Sequence, residues 1–326
     1  MNKLNFSLSI IALFVSISAI AQKPTPFTEK TADISKIKTI LDFPAEGRTS
    51  KNGTGYSANV DLINPKPKKV ALISFYLYDP ACGDASKSNN GVTATYSAAI
   101  WRTPDALAQT HIDGFYKNSI ESLKKGFKEY GIDLLTPSEF LNTDEKKDFY
   151  YEFNQESGKK EKTERTQIGG YVQATVSTIK ICPTDEGYRP FFVDNEPVSE
   201  CQSSNYINTG IGGANRKMTS SLGYELAKGL GVDAVVVCYI VTRKPSKKKE
   251  DYVVDAVNLF MFGPNPVSSN SEDKNRGQFY CGTRFFAKQL LFSDSKSNVT
   301  SYDNVGNVMT ALSEKMGNWV INKAKK

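Results

Sequence analysis

Val70-Ala71-Leu72-Ile73-Ser74-Phe75-Tyr76-Leu77-Tyr78 decides how this chain is read. Apart from Ser74 the run is continuously apolar instead of alternating. A strand with one face in water alternates; a strand covered on both faces has no need to. Asp79-Pro80 ends it, since proline has no N–H to give a ladder. A second run of the same kind spans Ala234 to Thr242. It follows a helical stretch, Asn215 to Leu230, in which Met218, Leu222, Leu226 and Leu230 share one face and Gly231 supplies the stop. Two doubly covered strands with helices beside them call for an α/β (or α+β) fold, a mixed sheet with helices packed on it.

Outward from these strands the pattern is readable in both directions. Thr103-Pro104-Asp105 opens a helix, and Ile112, Tyr116, Ile120, Leu123, Phe127 and Tyr130 recur at helical spacing until Gly131. The spacing predicts one long helix. Ile132 to Leu135 reads as a short strand, and Pro137-Ser138-Glu139 starts a second helical stretch carrying Phe140, Leu141, Phe149 and Phe153. Residues 155–167 read as a charged connector, Tyr171 to Ile181 as a strand or edge hairpin, and 182–210 as irregular. Tyr252 to Phe262 is the hairpin partner of the second buried strand, and Gly277 to Phe292 a further antiparallel strand. Val305, Val308, Met309, Leu312, Met316, Trp319 and Val320 line one stripe of a last helix. The polar stretch from Ala81 to about Pro104 reads as a loop, and loops of that length are uncommon unless functional or disordered. The expected organisation is a lead-in over 22–68 and a mixed α/β domain over 69–326, with an insertion around 140–215.

The first residues read as an address. Lys3 supplies a positive charge, Leu8 to Ile20 is apolar, and Ala19-Ile20-Ala21 has the small-x-small form that signal peptidase accepts. The apolar stretch is short for a membrane span of about 20 residues. The first cysteine is Cys82, so no lipidation cysteine follows the apolar run. Residues 1–21 are therefore expected to be a cleaved signal peptide, and the mature chain to be exported, periplasmic or secreted, and soluble. Cleavage removes Lys3 alone among the charges, leaving 40 basic residues of the original 41 against 35 acidic, a net of +5. That mild excess suits weak attraction to anionic envelope polymers or lipid surfaces and is no footprint of nucleic-acid binding.

The residue inventory limits the chemistry. There are five cysteines (Cys82, Cys182, Cys201, Cys238 and Cys281) and one histidine, His111. None of the cysteines stands at C-x-x-C spacing, which argues against an ordinary zinc site. Export permits disulfides. Cys182 and Cys201 flank a Pro- and Gly-containing excursion and either close it, for about 3 kcal/mol if unstrained, or remain separate thiols. Cys238, inside a valine run, reads as a buried inert thiol.

Two segments carry a family likeness. Lys68-Lys69-Val70-Ala71-Leu72-Ile73-Ser74-Phe75 leads into the first helix, and Leu226-Ala227-Lys228-Gly229-Leu230-Gly231-Val232-Asp233-Ala234-Val235-Val236-Val237 is a helix feeding a strand and then a hairpin. Together they resemble the α/β domain shared by the amino-terminal part of TolB, the curli secretion protein CsgG and the penicillin-binding-protein activator LpoB. The resemblance implies a bacterial envelope protein that acts through partner contacts. The lipidation cysteine of CsgG and LpoB and the propeller repeats of TolB are not found here, and no functional residue carries over.

Candidate sites follow from local chemistry. Asp79 closes the first buried strand, and open α/β sheets place ligands beyond strand carboxyl ends. With Asp84 it is either part of a calcium site built from oxygen ligands or a solvated turn; no other cofactor is expected. Lys244, Lys247, Lys248 and Lys249 crowd a hairpin tip, which is a solvated turn or a contact for anionic lipid or polymer. Gly210-Ile211-Gly212-Gly213-Ala214-Asn215 is a flexible helix start or an anion cradle. His111 reads as a capping or partly exposed histidine. No G-x-S-x-G or H-E-x-x-H motif occurs.

The reading that results is an exported, non-enzymatic envelope or secreted accessory protein with an envelope protein partner. The alternatives are a hydrolase with a carboxylate site at the strand ends, or a structural component of a secretion or surface assembly. The export reading has a direct check: the amino terminus of the protein recovered from its native envelope, sequenced by mass spectrometry, begins at Gln22.

Overall fold

The computed structural model describes residues 25–26, 63–79, 85–89, 92–96, 103–154, 164–168, 171–175, 180–191, 193, 220–244, 250–266, 276–296 and 298–323. In chain order the elements are β1 (Thr25–Pro26), β2 (Lys69–Asp79), β3 (Ala85–Asn89), β4 (Val92–Tyr96), α1 (Asp105–Lys117), α2 (Ile120–Lys128), β5 (Asp133–Leu135), α3 (Pro137–Phe140) and α4 (Asp144–Glu152). They continue with β6 (Glu164–Ile168), β7 (Tyr171–Thr175), β8 (Lys180–Pro183), a π-helical turn Ser221–Leu226 running into α5 (Ala227–Leu230), β9 (Ala234–Arg243) and β10 (Tyr252–Pro264). The last are β11 (Gly277–Asp294), β12 (Val299–Thr300), α6 (Val305–Asn318) and a π-helical turn Trp319–Lys323. The mixed sheet with helices that the apolar runs demand is present.

The main sheet has the order β1-β11-β10-β9-β2-β5, with β12 beside β11 and β8 beside β2. β2 and β9 run parallel, and β9, β10 and β11 form an antiparallel meander. Val70 to Tyr78 are each no more than 2 % exposed. Successive side chains of a strand point to opposite faces, so both faces of β2 are covered. On one face Phe75 meets Tyr116 of α1 edge to face, with ring centroids 5.2 Å apart. Thr283, in the row that continues Phe75 across β9 and β10, donates its hydroxyl to the Leu312 carbonyl of α6. The segment Ser221–Leu230 packs on β9, β10 and β11. It approaches β10 so closely that a Cβ on Gly223 would stand 2.7 Å from the Gly263 carbonyl oxygen. Gly231 ends α5 at φ 69, the left-handed conformation that glycine adopts without penalty.

The long helix expected over Asp105 to Tyr130 is two. It breaks at Asn118-Ser119, where side chains bond back into the preceding turn: Asn118 Nδ2 to the Gly114 carbonyl and Ser119 Oγ to that of Phe115. Such back-bonding competes with the helix ladder and bends it.

The second correction is larger. The polar stretch after Asp79 contains β3 and β4, and the charged connector contains the start of β6. These strands form a separate four-stranded antiparallel sheet, β4-β3-β7-β6. The two residues between β3 and β4 are Asn90-Gly91, and those between β6 and β7 are Gly169-Gly170. As residue types both pairs favour turns; they lie outside the described residues. The hairpins come from distant parts of the chain and meet through β3 and β7. The β2–β8 ladder ends at Asp79↔Lys180 and the β3–β7 ladder begins at Ala85↔Thr175, so the two are in phase to within one residue.

β2 pairs with β9 along one edge, but its other edge is shared. β5 takes residues 69–71 and β8 takes 76–79. Between them side chains do the pairing. Tyr150 donates its hydroxyl to the Ile73 carbonyl at 2.7 Å and accepts the Arg189 N–H at 3.1 Å. Ser74 Oγ donates to the Arg189 carbonyl and accepts from the Phe191 N–H. Removing the Tyr150 hydroxyl strands the buried Ile73 carbonyl and the partly buried Arg189 N–H. Tyr150→Phe is expected to destabilise the fold by about 1–3 kcal/mol, read as a lowered denaturant midpoint with unchanged slope.

Candidate functional site

β2 and β9 end on the same side of the sheet, and the second sheet is entered and left there. The chain passes Asp79 into β3 and returns from β4 at Thr103. Asp79 is fully buried, and its Oδ2 accepts the Thr103 N–H at 2.9 Å. The carboxylate therefore ties the outgoing strand to the incoming one. A hydrogen bond to a charged group of this kind contributes about 1.5–3 kcal/mol. Among the described residues no three His, Cys, Asp or Glu side chains converge as a metal site; Asp84 lies outside the described residues. At the end of β2 the Asp79 carboxylate is engaged by the Thr103 N–H.

α1 holds the other hairpin. Gln109 Nε2 donates to the Pro183 carbonyl at 3.2 Å, and Cys182 Sγ donates to Gln109 Oε1. One turn on, Asp113 Oδ1 accepts from the Thr184 hydroxyl at 2.6 Å and from the Asp185 N–H at 3.2 Å. The end of β8 is thus fastened to the helix into which the first hairpin returns. Cys182 is buried in this contact, and Cys201 lies outside the described residues. Cys238 is fully buried in β9, and burial pushes its thiol pKa well up, as an inert thiol requires.

His111 corrects its sequence reading. It neither caps a helix nor reaches solvent: it is 1 % exposed, in the middle of α1. Its ring is packed edge to face by Tyr252 of β10 and Phe292 of β11, with centroids at 5.0 and 4.9 Å. Nδ1 shares a hydrogen bond with the Tyr302 hydroxyl at 2.8 Å, and Nε2 finds no partner among the described residues. Burial lowers the ring pKa from 6.5 to about 4, so it is neutral at pH 7. Periodicity gives no sign of this, since a histidine on a polar-to-apolar boundary fits either side.

The neighbouring β9–β10 hairpin is polar near its tip. Arg243 Nε donates to Oδ2 of the fully buried Asp255 at 2.6 Å. Lys244, read as one of four surface lysines, is engaged by Glu250, which also accepts from the Tyr252 hydroxyl at 2.8 Å. The Lys244 bond holds the Glu250 carboxyl below its usual range. Lys247, Lys248 and Lys249 lie outside the described residues, as does the Gly210 to Asn215 stretch.

This end of the molecule is a clasp, in which Asp79 secures the root of the first hairpin and Gln109 and Asp113 hold the far end of β8, the strand that the second hairpin enters. Asp79→Ala is expected to cost about 1.5–3 kcal/mol, and Asp79→Asn less because its amide oxygen still accepts from Thr103. Thermal melts with calcium and with chelator check that the loss is the same in both. Comparison with protein-family models, with curated proteins and with solved structures found no match.

Proposed function

We propose that this chain is an exported, non-enzymatic component of an envelope assembly, and that it joins its neighbours by pairing the strands of its second sheet. The observation that carries the reading is the direction of that sheet's outer strands. All three pairings in β4-β3-β7-β6 are antiparallel, so the two edge strands, β4 and β6, run in opposite directions. Among the described residues each pairs on one side only. An open edge presents backbone donors and acceptors that another strand can complete. When copies are related by rotation, β4 of one meets β6 of the next antiparallel, and the ladder continues from copy to copy. Such head-to-tail contacts make a ring where the rotation closes. A sheet with parallel outer strands would break the alternation at every junction.

The clasp supports the same reading. A sheet meant to bear a load between subunits needs both hairpins anchored in the rigid core, and both are. The likeness of Lys68 to Phe75 and Leu226 to Val237 to the α/β domain of envelope proteins agrees with it. Among the described residues no helix is long and apolar enough to cross a membrane.

Sedimentation and native mass spectrometry of the mature chain, with and without mild detergent, test the proposal. Closed oligomers are expected from the full chain, and monomers from a variant in which residues 81–102 are replaced by a short linker. Circular dichroism establishes that the variant keeps the main sheet. A full chain that stays monomeric, or a hairpin-deleted chain that still oligomerises, refutes strand pairing between copies. Recovery of a different protein crosslinked to β4 or β6 points instead to a hetero-partner at the same edges.

A further inference from the structure

We propose that His111 is an acid-sensitive latch, whose protonation frees α1 from the sheet and so loosens the roots of both hairpins. The inference takes the second sheet as the working part of the molecule, and it rests on where one histidine sits. α1 is tied to the strands that carry both hairpins by polar groups: to the end of β2 through Thr103 at its entrance, and to the far end of β8 through Gln109 and Asp113. It touches the ends of β10 and β11 with His111 and Phe115, the latter 4.9 Å from the Phe292 ring and 5.0 Å from that of Tyr302. The helix can leave the sheet only if the imidazole leaves its aromatic cage.

The cage is built for a neutral ring. From β11 it receives Phe292, which carries no charge. From β10 it receives Tyr252, whose hydroxyl is given to Glu250; from the segment before α6 it receives the Tyr302 hydroxyl. Glu250 is turned to Lys244 and Tyr252, and Asp79, whose charge is felt at Tyr252, is turned to Thr103. On α1 itself Asp113 is taken up by Gln109, Thr184 and Asp185. Among the described residues no carboxylate is hydrogen-bonded to the ring, so an added proton stays uncompensated in a buried site, and burying such a charge is costly.

The sign follows from linkage. A base whose pKa is lower when packed than when released binds protons preferentially in the released state, so packing is favoured above pH 6.5 and weakens as the pH falls toward about 4. Between pH 7 and 4.8 the ratio of released to latched α1 rises about thirty-fold, on the ordinary value of 6.5 for the released ring and about 4 for the packed one.

Hydrogen–deuterium exchange of the mature chain, corrected for the intrinsic pH dependence of exchange, reads this directly. Amides in 105–117 and 180–185 should lose protection about thirty-fold between pH 7 and 4.8, while those in 305–318 keep theirs. In His111→Gln, which stays neutral, the pH difference should vanish. An equal acid loss in the variant, or loss in 305–318 together with 105–117, overturns the proposal. If the variant does not fold, the single histidine resonance of the wild-type chain decides. A ring titrating near 6.5 overturns the latch, and one titrating near 4 in step with α1 exchange supports it. These readouts concern one chain's α1, so they fail or succeed independently of pairing between copies.

Discussion

The backbone of β2 is the constraint on which the rest depends. Its side chains are buried on both faces, so water reaches none of its amides, and every N–H and C=O must be matched within the protein. One edge is satisfied by β9. The other is satisfied in three pieces: β5 at its start, the Tyr150 hydroxyl on the Ile73 carbonyl and the Thr184 N–H on the Phe75 carbonyl in the middle, and β8 at its end. An unpaired buried backbone group costs about 1–3 kcal/mol, which makes the middle piece as necessary as the strands. It also explains why α4 and the segment around Arg189 are drawn against the sheet.

The division of that edge creates the route to the second sheet. β8 lies antiparallel to the end of β2, so the strand that leaves the core and the strand that re-enters it run side by side. The next ladder outward, β3 with β7, keeps their antiparallel sense and nearly their register. One more strand is then added on each flank, β4 beside β3 and β6 beside β7. Two insertions far apart in sequence become one sheet because both are rooted at the same pair of strands. Asp79 holds its root by a buried polar contact, where such a contact is strong and the loss of one partner is expensive, and α1 adds partly buried ones.

Much of the main sheet is legible in the residues. β2 and β9 announce themselves by unbroken apolar runs, α6 by its stripe from Val305 to Val320, and the end of α5 by Gly231. The second sheet is harder to read. Ala85 to Asn89 is Ala-Ser-Lys-Ser-Asn, with no β-branched or aromatic residue to mark a strand, and Glu164 to Ile168 is largely polar. The available signals were the dipeptides Asn90-Gly91 and Gly169-Gly170, whose residue types favour a turn whatever the hydrophobic pattern. His111 shows the converse limit, since its neighbours Tyr252, Phe292 and Tyr302 are more than a hundred residues away in the chain.

By itself the sequence determined that β2 and β9 are doubly covered, that helices accompany them, and that the chemistry is poor in metal-binding and nucleophilic motifs. These are local consequences of residue type and spacing. Only the tertiary structure decided that Asp79 is a staple, that His111 is a core residue, and that two polar insertions share a sheet. Each of these depends on which distant backbone group comes to lie opposite, and strand pairing, unlike hydrophobic periodicity, leaves no mark on the residues of one partner alone.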